Sequence, residues 1–491
     1  MRNISILNRS NSWSCFVVTG AQINRIGVSM RTLVQCGLIL FLLPLSLTLP
    51  RTMGPIPAAH PIDLTNGDLQ QYAFLTPLLK DIEVVSLAES IHMTHEFPLV
   101  RIGMVRWMNQ HLGYGMLAVE GSPEDVWVSQ DAFLHAPSNL SQSTSGLFGI
   151  WNTTEMKQLF AYEASTWTTS HPLYITSYDI QPGTGRLSQG DRVFSLLQQT
   201  LMQYAPPAPG FDAAAWTGNL SPLTSACSLF KKGDEARVTQ AIGVIQEWIG
   251  RAAPSVETRF PSVPHATALR LIPENLRASL ALCEGMVSHD GSAGTYKTAR
   301  DKNAALFALR LKEAAPQRRL ILWAHISHLF YDADGMSTSV GELLHASLGK
   351  RLYTIGTLAQ GGGAIMLFND WNRIVGYGRV WGVSASLKQA LGGACPSICF
   401  FDLQNVSPGS MLSRPQHIWF EASPLRQISL SRNFDGIVWV KHVHPPQMPL
   451  LSLLAYSSPR YIGILAAAFL VTTFFLIMLV VLICRNRRTV S

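Results

Sequence analysis

The chain has 491 residues, 47% of them hydrophobic and only 14% charged, with a formal net charge of +7. That length buries a large core and allows two or three domains or one elaborate one. The basic residues are scattered, without a stripe or interleaved aromatics, which argues against a nucleic-acid binder.

In chain order, the first apolar run is 33–49, interrupted by Gln35, Gly37, Pro44 and Ser46. Arg31 precedes it and Pro50-Arg51-Thr52-Met53-Gly54-Pro55 follows. This is the layout of an export signal, with Met30-Arg31 as a conventional start; a signal anchor is the competing reading of residues 1–54. Strand-like runs then recur at 82–88, 116–119, 173–178, 319–324, 352–356, 364–368 and 436–440. Helical patterns separate several of them, which predicts an α/β fold with a largely parallel central sheet flanked by helices. Between about 190 and 313 no strand is expected. Helical segments at 238–252, 275–286 and 298–313, preceded by the Pro/Gly-rich loop 205–216, read as a helical insertion that can cover the sheet's active edge. Ordinary crossover helices are the plainer alternative. There is no internal repeat.

The main domain is expected at 55–441, followed by a linker at 442–460 on which His442 and His444 are solvated. Residues 461–484 form an apolar block of 24 residues with no charge. That is long enough to cross a bilayer with some tilt. Arg485, Arg487 and Arg488 follow it, so the positive-inside rule places the tail 485–491 in the cytoplasm and the bulk of the chain outside. The expectation is a single-pass protein with one C-terminal transmembrane helix and the lipid bilayer as a partner. Four of the seven cysteines, Cys227, Cys283, Cys395 and Cys399, fall in the exported part. An even number there permits two disulfides. Of three connectivities, the sequence-near one, Cys227 with Cys283 and Cys395 with Cys399, is expected; small buried hydrophobes are the other reading.

Acid-base residues mass where the predicted strands end. Glu89, His92, His95 and Glu96 close the first run, and a helix carrying Phe97, Val100, Met104 and Leu112 at helical spacing begins at once. Glu120 ends the second run, Asp179 the third, and His325 and His328 the fourth; a helix adds Arg300-Asp301. Each alone reads as an ordinary solvated or hydrogen-bonded residue, but in open α/β folds the carboxyl ends of strands handle ligands. The set suits hydrolysis by water: a histidine takes the proton, a carboxylate orients it, and a cation or second histidine steadies the oxyanion. No Gly-x-Ser-x-Gly elbow is present, which argues against a serine hydrolase.

The array resembles the erythromycin esterase family. Ala88-Glu89-Ser90-Ile91-His92-Met93-Thr94-His95-Glu96-Phe97 is similar to that family's Gly-Glu-Ala-Thr-His-Gly-Thr-x-Glu-Phe block. Trp323-Ala324-His325-Ile326-Ser327-His328 is similar to its Trp-Ala-His-Asn-x-His motif, and Ser177-Tyr178-Asp179-Ile180-Gln181, Glu120 and Arg300-Asp301 match in order. The resemblance covers about 82–441. It implies a hydrolase of ester or lactone bonds that needs no metal or other cofactor, with a small-molecule ester or lactone as substrate. His92 would be the general base, Glu89 its partner, and Glu120, Arg300 and His325 the remaining catalytic set. His95, Asp179 and His328 would bind substrate. The sequence departs from the pattern at Ala88, Ser90-Ile91, Met93 and Ile326. Methionine for glycine narrows the backbone conformations open beside His92.

Two rivals stand beside this reading. His92-x-x-His95 and His325-x-x-His328 with Glu89, Glu120 and Asp179 offer enough ligands for a divalent ion, although neither block is His-Glu-x-x-His. A non-enzymatic binding domain outside the cytoplasm is the other. Gly361-Gly362-Gly363 lacks the Gly-Lys-Ser/Thr of a phosphate loop and reads as a turn before a strand.

Overall fold

The computed structural model describes residues 55–448, apart from 186–189, 225–226, 289–292, 333–337, 368–373 and 422–425, together with 463 and 470–478. The expected export region 1–54 and tail 485–491 lie outside the described residues. Of 461–484, residues 463 and 470–478 are described and helical. No helix among the described residues is long and apolar enough to cross a membrane.

Twelve strands are described: β1 (Ala59–Pro61), β2 (Val84–Glu89), β3 (Tyr114–Val119), β4 (Tyr174–Ser177), β5 (Arg319–His325), β6 (Leu352–Ala359), β7 (Gly362–Leu367), β8 (Ile374–Val380), β9 (Ile398–Asp402), β10 (Gln416–Ile418), β11 (Arg426–Ile428) and β12 (Gly436–Val440). Eight form one sheet in the order β1-β9-β12-β6-β2-β5-β3-β4. The six from β12 to β4 are parallel; β9 runs antiparallel to β12, and β1 antiparallel to β9. β2, β3, β6 and β12 are buried at every position. Near-continuous apolar runs of this kind belong to a sheet covered on both faces.

Alternation assigns each face its helices. Val85, Leu87, Leu117, Val119, Ile321 and Trp323 share a core with Phe97, Val100, Met104 and Leu159. Val84, Ala88, Met116, Ala118, Leu320 and Leu322 share another with Ala304, Ala308, Leu311 and Leu344. The helix Glu96–Leu112 ends where Gly113 takes φ 72°, a left-handed cap that glycine adopts without strain. Ser122 starts the helix Pro123–His135 by accepting from the Asp125 N–H at 3.3 Å.

Between β4 and β5 the described elements are all helices, with a core of their own that includes Val238, Ile242, Ile245, Trp248, Leu269, Ile272 and Leu276. Its helices Glu235–Arg259 and His265–Ser288 are longer than the sequence pattern suggests because each runs through a proline, Pro254 and Pro273. An interior proline costs roughly 3 kcal/mol, and packing here outweighs it. Both expected disulfides are present.

One strand is not where the pattern put it. The run at 364–368 falls on β7, which pairs antiparallel with β8 in a separate ribbon rather than joining the main sheet. β7 begins only two residues after β6 ends, whereas a parallel neighbour needs a crossover of about a dozen residues.

Candidate active site

Strands β2, β5, β3 and β4 end side by side. Glu89 lies opposite His325, and Val119 lies opposite both Trp323 and Ser177. Strand register alone therefore brings Glu89, Glu120, Asp179 and His325 to one edge.

Glu89 is fully buried. Its Oε1 accepts from His92 Nδ1 at 2.7 Å, and its Oε2 pairs with Arg101 and lies 3.4 Å from Trp323 Nε1. The Arg101 guanidinium sits 5.0 Å from the centre of the Trp323 ring. A carboxylate only accepts, so the ring nitrogen facing Glu89 carries the proton and Nε2 is the acceptor of the neutral imidazole. The His92 N–H donates to Glu421 Oε2 at 3.0 Å, and the Glu421 N–H donates to the Ser90 carbonyl at 2.9 Å. Burial pushes His92 down, but the hydrogen bond and charge of Glu89, reinforced by Glu120 and Glu421, outweigh it and raise the ring above its ordinary value.

A second knot is tied by Arg300, on the helix Ala293–Ala314. Its Nε donates to Asp179 Oδ1 at 2.8 Å, and its Nη2 to Asp179 Oδ2 at 2.5 Å and Glu120 Oε1 at 2.9 Å. The other Glu120 oxygen accepts the His325 N–H at 2.9 Å, and His328 Nε2 lies 3.5 Å from Oε1. His328 Nδ1 bonds Asp301 at 2.6 Å, and Asp301 also takes Lys297 Nζ at 2.5 Å. Lys297, Arg300 and Asp301 occupy one helical turn and so reach the sheet edge together. Burial would raise the Glu120 carboxyl, but His328, Arg300, His92 and the His325 N–H hold it well below the usual range.

His325 is the complement of His92. Burial and the neighbouring His92 charge push it well below its ordinary value, so it is neutral. The two ring centres are 4.9 Å apart. The Ser327 N–H donates to His325 Nδ1 at 3.3 Å, which places the proton on Nε2. That Nε2 is buried with no hydrogen-bond partner among the described residues, and the nearby Ser90 backbone favours its proton. The Tyr178 hydroxyl is likewise buried and unpartnered. Burial and the charges of Glu120, Asp179 and Asp301 keep it protonated.

His95 does not join the others. It stands where the chain enters the helix Glu96–Leu112, and its ring turns to Glu155, Nδ1 to Oε1 at 2.5 Å. Glu96 is bonded to His444, ring Nδ1 at 2.5 Å and N–H at 2.8 Å. The Gln447 N–H reaches Glu155 at 2.9 Å. The start of the expected linker is thus strapped across the helix ends rather than merely solvated. The two His-x-x-His pairs face different partners, and no group of three or more possible metal ligands is assembled among the described residues.

Arg101 and Glu421 were missed by the sequence reading. Arg101 lies one helical turn past Phe97 on a buried face, which is a weak signal. Glu421 is 329 residues from the backbone it holds, and nothing local marks it. Met93 and Ile326 are buried in the two main cores. Among the described residues only Cys227 departs from negative φ outside glycine, so the backbone beside His92 does not demand a glycine.

A profile described as erythromycin esterase matches residues 109–443, well over half of the chain, beginning downstream of the Glu89–His92 block. The chain is 21% identical over 413 residues to "Putative hydrolase YbfO" of Bacillus subtilis (strain 168), covering 79% of this chain and 90% of that one. Among solved structures, a Bacillus cereus protein matches with a TM-score of 0.63 at 15% identity, covering 80% of this chain and 97% of its own. A mutant of erythromycin esterase EreC in its open conformation matches with a TM-score of 0.54 at 17% identity, covering 81% of this chain and 99% of its own. At those identities the structural likeness speaks for the fold. By the extent of the profile match, the chain belongs to the erythromycin esterase family of hydrolases.

Proposed function

We propose that the chain hydrolyses an ester or lactone bond of a small molecule, with His92 as the base that takes a proton from water. The observation that carries this is the pair of unlike imidazoles. His92 is oriented by Glu89 with Nε2 as its acceptor, and 4.9 Å away His325 is neutral with an unpartnered Nε2–H. One ring accepts the water proton, while the other donates to the oxygen on which charge develops. Glu89 orients His92 and raises its basicity, Glu120 fixes the His325 backbone, and Arg300 holds Glu120 and Asp179 in place. Asp179 and His328 shape the polar wall. His95, bonded to Glu155, lies outside this set in our reading. The proposed location is a single-pass membrane protein with the hydrolase domain outside the cytoplasm, supported by the uncharged block 461–484 and the three arginines after it.

The test is a panel of aryl esters and lactones offered to the purified full chain and to His92→Ala. A general base contributes about 10²–10⁴-fold to turnover. The expected result is a loss of that size at unchanged folding; equal rates on every substrate would remove the assignment.

A further inference from the structure

β6 and β12 are neighbours, and Val440 lies opposite Ala359 at their carboxyl ends. Beyond those ends Gln360-Gly361-Gly362 and Lys441-His442 open onto a cavity of about 370 Å³, walled by Arg379, Val380, Trp381 and Lys388. The floor is firmly built. The Gln360 N–H bonds the Val440 carbonyl at 2.8 Å, the Val443 N–H the Gly361 carbonyl at 3.0 Å, and the Gly363 N–H the Val443 carbonyl at 2.9 Å. Gly362 has φ 130°, and a Cβ there would collide with the Val443 backbone, so this crossing dictates a glycine at 362.

The charge of the lining is one-sided. Arg379, Lys388, Lys441 and His442 face the cavity, and no carboxylate lines it. None of these four side chains is paired with a carboxylate among the described residues. Lys388 bends to the Trp381 carbonyl at 3.3 Å, and the Arg379 guanidinium lies 5.8 Å from the Trp381 ring centre. Like charges gathered at one rim repel, a cost that a multivalent oxyanion would reverse. Trp381 is 65% exposed and Tyr377 61%. Of the two, Trp381 lines the cavity and offers it a flat aromatic wall. The volume falls in the lower part of the small-ligand range, enough for a phosphate with a small organic remainder.

We propose that this cavity binds a phosphoester group, with Arg379, Lys388 and Lys441 supplying charge, His442 a further donor and Trp381 an aromatic wall. The group belongs either to a soluble phosphoester or to an anionic lipid headgroup, which present the same chemistry. The site stands on the same sheet edge as Glu89, two strands or about 10 Å across, and its existence does not depend on the hydrolytic reading.

Calorimetric titration of the full chain in an uncharged detergent tests it, with glycerol 3-phosphate and dihexanoylphosphatidylglycerol as probes and dihexanoylphosphatidylcholine as the zwitterionic control. At least one anionic probe is expected to bind more tightly than the control. That binding should weaken about tenfold or more in Arg379→Gln/Lys388→Gln and stay unchanged in Arg270→Gln/Arg310→Gln, a pair of exposed arginines elsewhere. Binding of glycerol 3-phosphate assigns a soluble ligand; binding of the lipid alone assigns a headgroup. Failure of both anionic probes, or equal weakening in the two double variants at matched melting temperatures, overturns the site.

Discussion

Replacing Glu89 by glutamine isolates the electrostatic part of the His92 assembly. The amide keeps an oxygen to accept the Nδ1 proton, so the 2.7 Å contact is preserved while its charge is removed. With the carboxylate gone, burial is opposed only by the charges of Glu120 and Glu421, and the His92 pKa falls. At an effective dielectric constant of about 20 and roughly 4 Å between charge centres, the lost attraction is about 4 kcal/mol. That is a ceiling, since the retained hydrogen bond and local relaxation offset part of it, and the His92 midpoint is expected to move down. The sign for stability follows from the same coupling. His92 is raised in the folded chain, so its contact contributes fully below the unfolded value near 6.5 and is lost as pH rises through the folded one. Arg101, fully buried, also loses its partner, at a cost of about 3–5 kcal/mol. Glu89→Gln/Arg101→Met removes both charges and should recover much of that. Carbon-13 NMR of labelled histidines, with the His92 signal assigned by His92→Ala, reads the titration without any substrate. An unchanged His92 midpoint in folded Glu89→Gln would refute the coupling, and with it the role given to Glu89.

Two further outcomes are expected. His325→Phe keeps a ring against Phe420, 6.0 Å away, but removes the Nε2–H; turnover should fall about 10²–10³-fold with little change in melting temperature, measured by steady-state kinetics and thermal unfolding. Glu163 is buried with Gln130 and the Ile175 N–H as its partners, and burial pushes it up to about 8. The unfolded chain releases this proton first, so stability falls by roughly 4–5 kcal/mol between about pH 4.5 and 8. Glu163→Gln should abolish that loss, since an amide has no proton to release over this range. Thermal melts at pH 5 and 8 that differ equally in wild type and variant would contradict this.

Strand identity was legible because it is local. Runs such as Val84-Val85-Ser86-Leu87-Ala88 carry their own burial, and each ends at the carboxylate or imidazole that parallel register then aligns. That placed Glu89, His92, Glu120, Asp179, Arg300 and His325 at one edge from the chain alone. The strands β8 and β9 were not among the expected runs, and the pairing of β7 in a ribbon with β8 was not legible, since pairing partners are set by connection length and available edges rather than by composition. The same holds for direction around a site. His92 and His95 look equivalent in sequence, yet the turn leading into the helix Glu96–Leu112 directs one ring to Glu89 and the other to Glu155. Arg101, Glu421 and His444 enter only through long-range contacts, and the basic cavity only because two parallel strands end together. Residue type and spacing determine which groups are offered at a strand's end. Which of them meet is decided by packing, where a rotation of one side chain changes every partner at once.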